Sequence, residues 1–408
     1  MEKVYITGRG LVTPLGDTLS VNEAALRTGK SGIVSIPEFI EHKLDSTVGG
    51  KPNFYPQTDL LDRKSLRFCP PVGVMSVAAA EEAFKEAGIA IPDIPNYRIA
   101  IISGVAGGNY LELFDTTTAY IASDHRLRSV TPFSVPRIMP SSAVSNLSIV
   151  FGITGETYDV SAACASSALA VIVGSRLIRS GEYDMVLAGG AEQLDWVEAL
   201  GFCACRALSR KYNDCPEKAS RPFDKGRDGF VFAGGAAYVL LESERSIKAR
   251  NGKPIVEISG FAANSNAKDM VVPDATATAN VMRQAILNAG LTGADINYVN
   301  THGTGTVVGD PIELAAVKEV MGCNVAINST KSQTGHMVGA TGAAEIIFSS
   351  IMMEKSFISP NVNLEDPDDE FSWADLVRET RTGVEIKHAL SNSFAFGGSN
   401  AAVVLSKI

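Results

Sequence analysis

Short apolar runs recur along the chain, separated by stretches with helical spacing. Runs at 3–7, 98–103, 185–188, 237–242, 255–262, 298–301, 325–329, 389–393 and 401–405 are predicted as strands. Several are continuously apolar rather than alternating, the pattern of strands covered by helices on both faces. Helices are predicted over 21–27, 72–87, 165–180, 277–289, 311–320 and 341–355. Strand and helix alternate from end to end, which predicts an α/β fold. The charged stretch 378–385 is predicted as a solvated loop or edge.

The pattern carries a faint duplication. A strand ending at Asp159–Val160 leads to Cys164 and an Ala-rich helix. Later, the run 325–329 leads to Lys331 and His336, and then to the helix near Ala343. Likewise the run 99–104 before a glycine-rich loop matches 296–305. Lys248 to Pro254 lies between the two parts. Two similar halves are expected, 1–250 and 251–408, with a site where they meet.

Composition narrows the class. A chain of 408 residues, 45% hydrophobic and 20% charged, is ordinary for a soluble α/β enzyme. A net charge of −9 and only 7% aromatic residues argue against nucleic acid or an anionic membrane surface as partner. Six scattered cysteines show neither a disulfide framework nor zinc spacing, which points to reduced thiols and a cytoplasmic location. The first eight residues read as a strand rather than a signal peptide. No apolar stretch is long enough to span a membrane, since even 343–353 is broken by Glu345.

Cys164 stands in Ser161-Ala162-Ala163-Cys164-Ala165-Ser166-Ser167, where a strand-like approach gives way to a helix expected to begin at the cysteine itself. A thiol at a helix N-terminus faces unpaired N–H groups and the positive end of the dipole, which favour thiolate. The small neighbours leave room for a substrate. Two of the five histidines, His302 and His336, follow apolar strands in glycine-rich turns. With the cysteine they suggest a Cys–His–His site. A metal is not expected, because the histidines lie far apart in sequence with no His-Glu-x-x-His helix. A Cys–His hydrolase needs one histidine and an orienting Asn or Asp. Two imidazole donors beside a lysine suit a carbonyl oxygen that becomes an enolate as its neighbour loses CO2. The glycines of Asn392-Ser393-Phe394-Ala395-Phe396-Gly397-Gly398-Ser399-Asn400 let the backbone approach a reaction centre.

These motifs, in this order, resemble the β-ketoacyl-[acyl carrier protein] synthases of the elongating type, nearest the synthase I branch and next synthase II. The run Ala207-Leu208-Ser209-Arg210-Lys211-Tyr212-Asn213-Asp214 and the residues 216–231 extend the resemblance over essentially the whole chain. The resemblance implies a thiolase-like fold, two similar halves in five αβαβα layers. It implies transfer of an acyl group from carrier protein to Cys164, then decarboxylative condensation with malonyl-carrier, with no cofactor beyond the carrier's phosphopantetheine arm. By motif, His302 and His336 polarise the malonyl carbonyl, Lys331 tunes them, and Glu345 holds Lys331. The backbone of Cys164 and Phe396 forms an oxyanion hole. Thr304 and Thr306 bind pantetheine, Phe394 lies in the substrate site, Phe396 gates the acyl pocket, and Asn400 braces that loop. Arg63, Lys64, Arg67, Arg128 and Arg206 fall in regions that dock the acidic carrier.

Ala106 is small where some relatives carry a bulky residue, so a pocket tolerant of long or polyene chains is expected. Asn266 and Ala395 depart from the common Asp and Gly. Two assemblies fit, a homodimer or a heterodimer with a chain-length-factor paralogue. A ketosynthase of an aryl polyene or polyketide system is the alternative function. A non-catalytic chain-length partner would lack Cys164. A degradative thiolase would need a second cysteine near the C-terminus, and none follows Cys323.

Overall fold

The computed structural model describes residues 2–94 and 98–408. Eleven strands form its main sheet. In chain order they are β1 (Val4–Val12), β2 (Ile99–Gly104), β3 (Thr157–Val160), β4 (Met185–Glu192), β5 (Gly235–Ser243), β6 (Val256–Ser265), β7 (Tyr298–Asn300), β8 (Ala326–Asn328), β9 (Asp375–Leu376), β10 (His388–Phe394) and β11 (Ser399–Ser406). Their order across the sheet is β9-β8-β7-β10-β11-β6-β1-β5-β4-β2-β3.

The predicted duplication is written into that order. One section runs β3-β2-β4-β5-β1 and the other β8-β7-β10-β11-β6, strand for strand the same, with β9 added at the second edge. The senses match as well. Pairs β2–β3, β2–β4, β7–β8 and β7–β10 are parallel, whereas β4–β5, β5–β1, β10–β11 and β11–β6 are antiparallel. A seam of two residue pairs, Tyr5 with Glu257 and Ile6 with Val256, joins the sections.

The three largest apolar cores fill the spaces between five layers. Helices Ser166–Arg179 and Thr341–Lys355 pack together in the middle and touch both sections. Helices Pro71–Glu86 and Ser142–Phe151 cover the first section from outside, and Ala275–Asn288 with Gly309–Met321 cover the second. Strand β2 shows why its run is apolar throughout. Ala100 and Ile102 enter the central core while Ile99 and Ile101 enter the outer one. Burying both faces favours unbroken apolarity over alternation. Residues 381–382, predicted as loop or edge, pair with Phe357–Ile358 in a two-stranded ribbon.

Two details aim the central helices. Gly104 ends β2 against the start of helix 166–179, where a Cβ would lie 2.4 Å from the Ser166 carbonyl carbon. The helix begins at Ser166, not at the cysteine, and Cys164 sits in a separate 3-10 turn, Ala163–Ala165. Ala163 opens that turn at φ +46°, three residues before its helix. Val338, at φ +40°, lies three residues before helix 341–355. Such a conformation is costly for residues with a Cβ and persists where surrounding structure enforces it. The same device at matching positions puts two tight turns back to back at the junction of the halves.

Candidate functional site

Cys164, His302 and His336 come from three separate loops and meet. The sulfur and one nitrogen of each ring lie within 4.8 Å of one another. The two imidazoles stand edge to face, with centroids 5.2 Å apart at 86°. All three residues line a cavity of about 320 Å³.

Each histidine is fixed from behind. His302 follows β7, and Glu313 of helix 309–321 accepts the N–H of His302 at 2.8 Å and of Gly303 at 2.7 Å. Asn392 donates to the same carboxylate at 3.2 Å. His336 follows the helical turn Lys331–Thr334, and its Nδ1 lies 3.0 Å from Thr341 Oγ1. His302 Nδ1 and His336 Nε2 are buried with no hydrogen-bond partner among the described residues. Burial first, then the Lys331 charge, holds both rings well below the usual histidine range. Both are therefore neutral at pH 7, each with one N–H to donate.

Lys331, 1% exposed, donates to Glu345 Oε1 at 2.6 Å. Burial pushes Glu345 up to about 7 against the pull of Lys331. Burial also pushes the Cys164 thiol up, to about 12, although the Lys331 charge and the N–H groups of Phe396 and Cys164 oppose it. This corrects the expected resting thiolate. The helix end is displaced from the sulfur by a turn, and desolvation of an anion outweighs the nearby donors.

Thr304, Thr306, Phe394, Phe396 and Asn400 also line the cavity, as does Arg206. Thr304 Oγ1 donates to Thr306 Oγ1 at 3.3 Å. The Phe394 ring packs 6.0 Å from His302. Asn400 donates to Asn264 at 2.9 Å and Asn266 at 2.7 Å, and Asn266 N–H donates to Gly398, so two loops brace each other. Ala106 is packed in the same apolar cluster as Cys164 but outside that cavity's lining. Arg63, Lys64, Arg67 and Arg128 are exposed and also outside it. The sequence reading missed Glu313, Asn392 and Thr341. Glu313 sits one helical turn past Asp310, and only its fold position marks it as the support of His302.

Three ligand atoms beside an open cavity could also suit a metal. The buried Lys331 ammonium, whose charge acts on the thiol and both rings, opposes a dication there.

Fold and site define a thiolase-like condensing enzyme. The beta-ketoacyl synthase N-terminal domain matches residues 1–246 and its C-terminal domain residues 255–365, and the chain belongs to this family. It is 38% identical over 408 residues to 3-oxoacyl-[acyl-carrier-protein] synthase 1 of Haemophilus influenzae, covering 100% of this chain and 99% of that protein. A beta-ketoacyl synthase from Burkholderia phymatum STM815 superposes with a TM-score of 0.94 at 33% identity, covering both chains fully. A type II PKS acyl-carrier protein complex with its ketosynthase bound to the hexaketide gives 0.90 at 26%, again covering both chains fully. No helix among the described residues is long and apolar enough to cross a membrane.

Proposed function

We propose that the chain elongates acyl groups in fatty acid synthesis by decarboxylative condensation of malonyl-carrier with an acyl group on Cys164. The observation that carries this is the meeting of the Cys164 sulfur with one nitrogen from each of two neutral imidazoles, all within 4.8 Å of one another. In the first step Sγ attacks the thioester carbonyl of an acyl-carrier. The N–H groups of Cys164 and Phe396, which already point at the sulfur, hold the oxyanion. The carrier thiolate leaves, taking the proton given up by Cys164. Malonyl-carrier then places its thioester oxygen between the imidazoles. CO2 departs, its bonding pair becomes an enolate held by two N–H donors, and that carbon attacks the Cys164 thioester. The product is two carbons longer, and the thiol is restored by a proton from solvent.

Thr304 and Thr306 line the approach and suit the amides of a pantetheine arm, with Phe396 as gate and Asn400 as brace. Acyl carrier protein is the proposed partner. The ketosynthase seen with such a carrier supports this, as do Arg206 at the cavity and the exposed Arg63, Lys64, Arg67 and Arg128. We take the division of the chain into halves near residue 250 as part of the proposal, supported by the repeated strand order. The small Ala106 and the hexaketide-bound neighbour favour a second reading, a polyketide or aryl polyene ketosynthase. The named synthase 1 relative favours fatty acids. Incubation with malonyl-carrier and a panel of acyl-carriers, read by mass spectrometry, decides. Saturated and cis-unsaturated products two carbons longer are expected; conjugated or aryl products alone would overturn the fatty-acid reading.

A further inference from the structure

A second polar cluster lies behind the turn at Ala106 and Gly107, and the chemistry above makes no use of it. Glu192, 1% exposed, ends β4, and its Oε2 accepts N–H groups from Ala106 and Gly339, both at 3.0 Å. Its Oε1 has no partner. Asp195 caps helix Trp196–Ala204 through the Glu198 N–H at 2.9 Å, and its second oxygen is also unpartnered. Glu198, one turn along, has its Oε2 buried and unpartnered. Tyr110 closes the group, its hydroxyl 3.2 Å from the place a Cβ on Gly107 would take.

Burial and then mutual repulsion push Glu198 well up and burial pushes Glu192 to about 7, so protonated carboxyl is present at neutral pH. A metal does not account for the cluster. Among the described residues only Cys164, His302 and His336 bring three ligand atoms together. Unpaired buried carboxyl oxygens are expensive, and a fold keeps them where a ligand completes them. The acyl path supplies one. Cys164, Ala106 and Phe202 border a single apolar cluster into which Trp196 and Cys203 also pack. Phe202 lines the cavity with Cys164, Glu198 lies one turn before it on the same face of helix Trp196–Ala204, and the Glu192 charge acts on the thiol.

We propose that Glu198, backed by Glu192, makes the far wall of the acyl site polar and selects acyl chains that carry a hydroxyl. A hydroxyl can accept from a protonated carboxyl and donate to its neighbour; a plain alkyl chain leaves both unpaired. The inference rests on the proposed acylation of Cys164. The test compares Cys164 acylation by carriers loaded with plain and ω-hydroxy chains over a series of lengths. At one length the hydroxylated chain should acylate at least about tenfold faster, the size of one added hydrogen bond to a buried partner. Glu198→Leu should abolish that preference, and Glu198→Gln, which still bonds a hydroxyl, should retain it. No preference at any length, or an undiminished one in Glu198→Leu, would overturn the inference while plain chains still acylate. Absence of acylation by every chain would instead overturn the proposed function, and this inference with it.

Discussion

Cys164 is the residue on which two opposing effects compete. The donors of its turn and the Lys331 charge favour thiolate, and desolvation favours thiol more strongly. With the thiol pushed up to about 12, the thiolate fraction rises about tenfold per pH unit through the neutral range. Alkylation of Cys164 by iodoacetamide should therefore climb steadily from about pH 6 to pH 9, with no plateau. A plateau near neutrality would mean that the helix end and its N–H groups dominate after all. The Lys331–Glu345 pair is asymmetric in a testable way. Glu345→Ala leaves an ammonium buried without its partner and should cost about 3–5 kcal/mol in denaturant unfolding. Lys331→Ala should cost less near pH 6, because Glu345, already pushed up to about 7, holds a proton there. That penalty should grow as the pH rises above 7 and the carboxyl is forced to ionise. Equal penalties for both variants at pH 6 would contradict this assignment. Local motifs exposed Cys164 and His302 in runs of their own and Lys331 with His336 in a shared one, whereas Glu345 was reached only through the family resemblance. Glu313 and Thr341 were not legible. Their roles come from contacts between segments, and their neighbours in sequence carry no trace of those contacts.

At the scale of elements, the strands of the sheet were legible because double burial leaves an unbroken apolar signature. Their ends were less so. Strand β4 continues through Ala-Gly-Gly-Ala-Glu, residues whose strand character depends on neighbours rather than propensity. The helices 110–122 and 196–204 went unread for a different reason. The first has no buried residue among its thirteen and the second has only one, Ala199, so neither shows a clear inward stripe. The close approach at Gly104 ties the sheet to the catalytic turn. Gly104→Ala would place a Cβ 2.4 Å from the Ser166 carbonyl carbon, so the helix must shift and Cys164 with it. Acylation should fall at least about tenfold, beyond what the loss of stability explains, since small misplacement of reacting groups is costly. Acylation unchanged with a normal thermal midpoint would show that the strand does not position the turn.

For the whole molecule, the strand order itself argues for association. Among the described residues, strand β3 ends the sheet with no strand on its far side. Ile101 N–H donates to Glu156, so Glu156 and Tyr158 face the sheet while Thr157 and Asp159 turn their backbone groups outward. Asp159 is half-buried, and burial pushes its carboxyl up to about 6. Helix 110–122 adds exposed Leu113, Phe114 and Ile121. A second copy pairing β3 with β3 would cover an edge that proteins seldom leave bare. We propose a homodimer paired in this way: the wild type should sediment as a dimer and Thr157→Pro, which removes an outward N–H, as a monomer; a wild-type monomer, or a dimer that survives in Thr157→Pro, would contradict it. The duplication was legible as a repeated strand–turn–helix pattern, whereas the seam through Tyr5 and Glu257 was not, because two residue pairs leave no sequence signature. The whole account turns on an acyl group carried by Cys164 and passed to an enolate formed beside His302 and His336. Intact-protein mass spectrometry on a single cycle tests it most directly. Acyl-carrier should add one acyl mass, mapped to Cys164, and malonyl-carrier should remove it with one CO2 released and one carrier product two carbons longer. An acyl group on any other residue, or elongation that persists in Cys164→Ala, would contradict it.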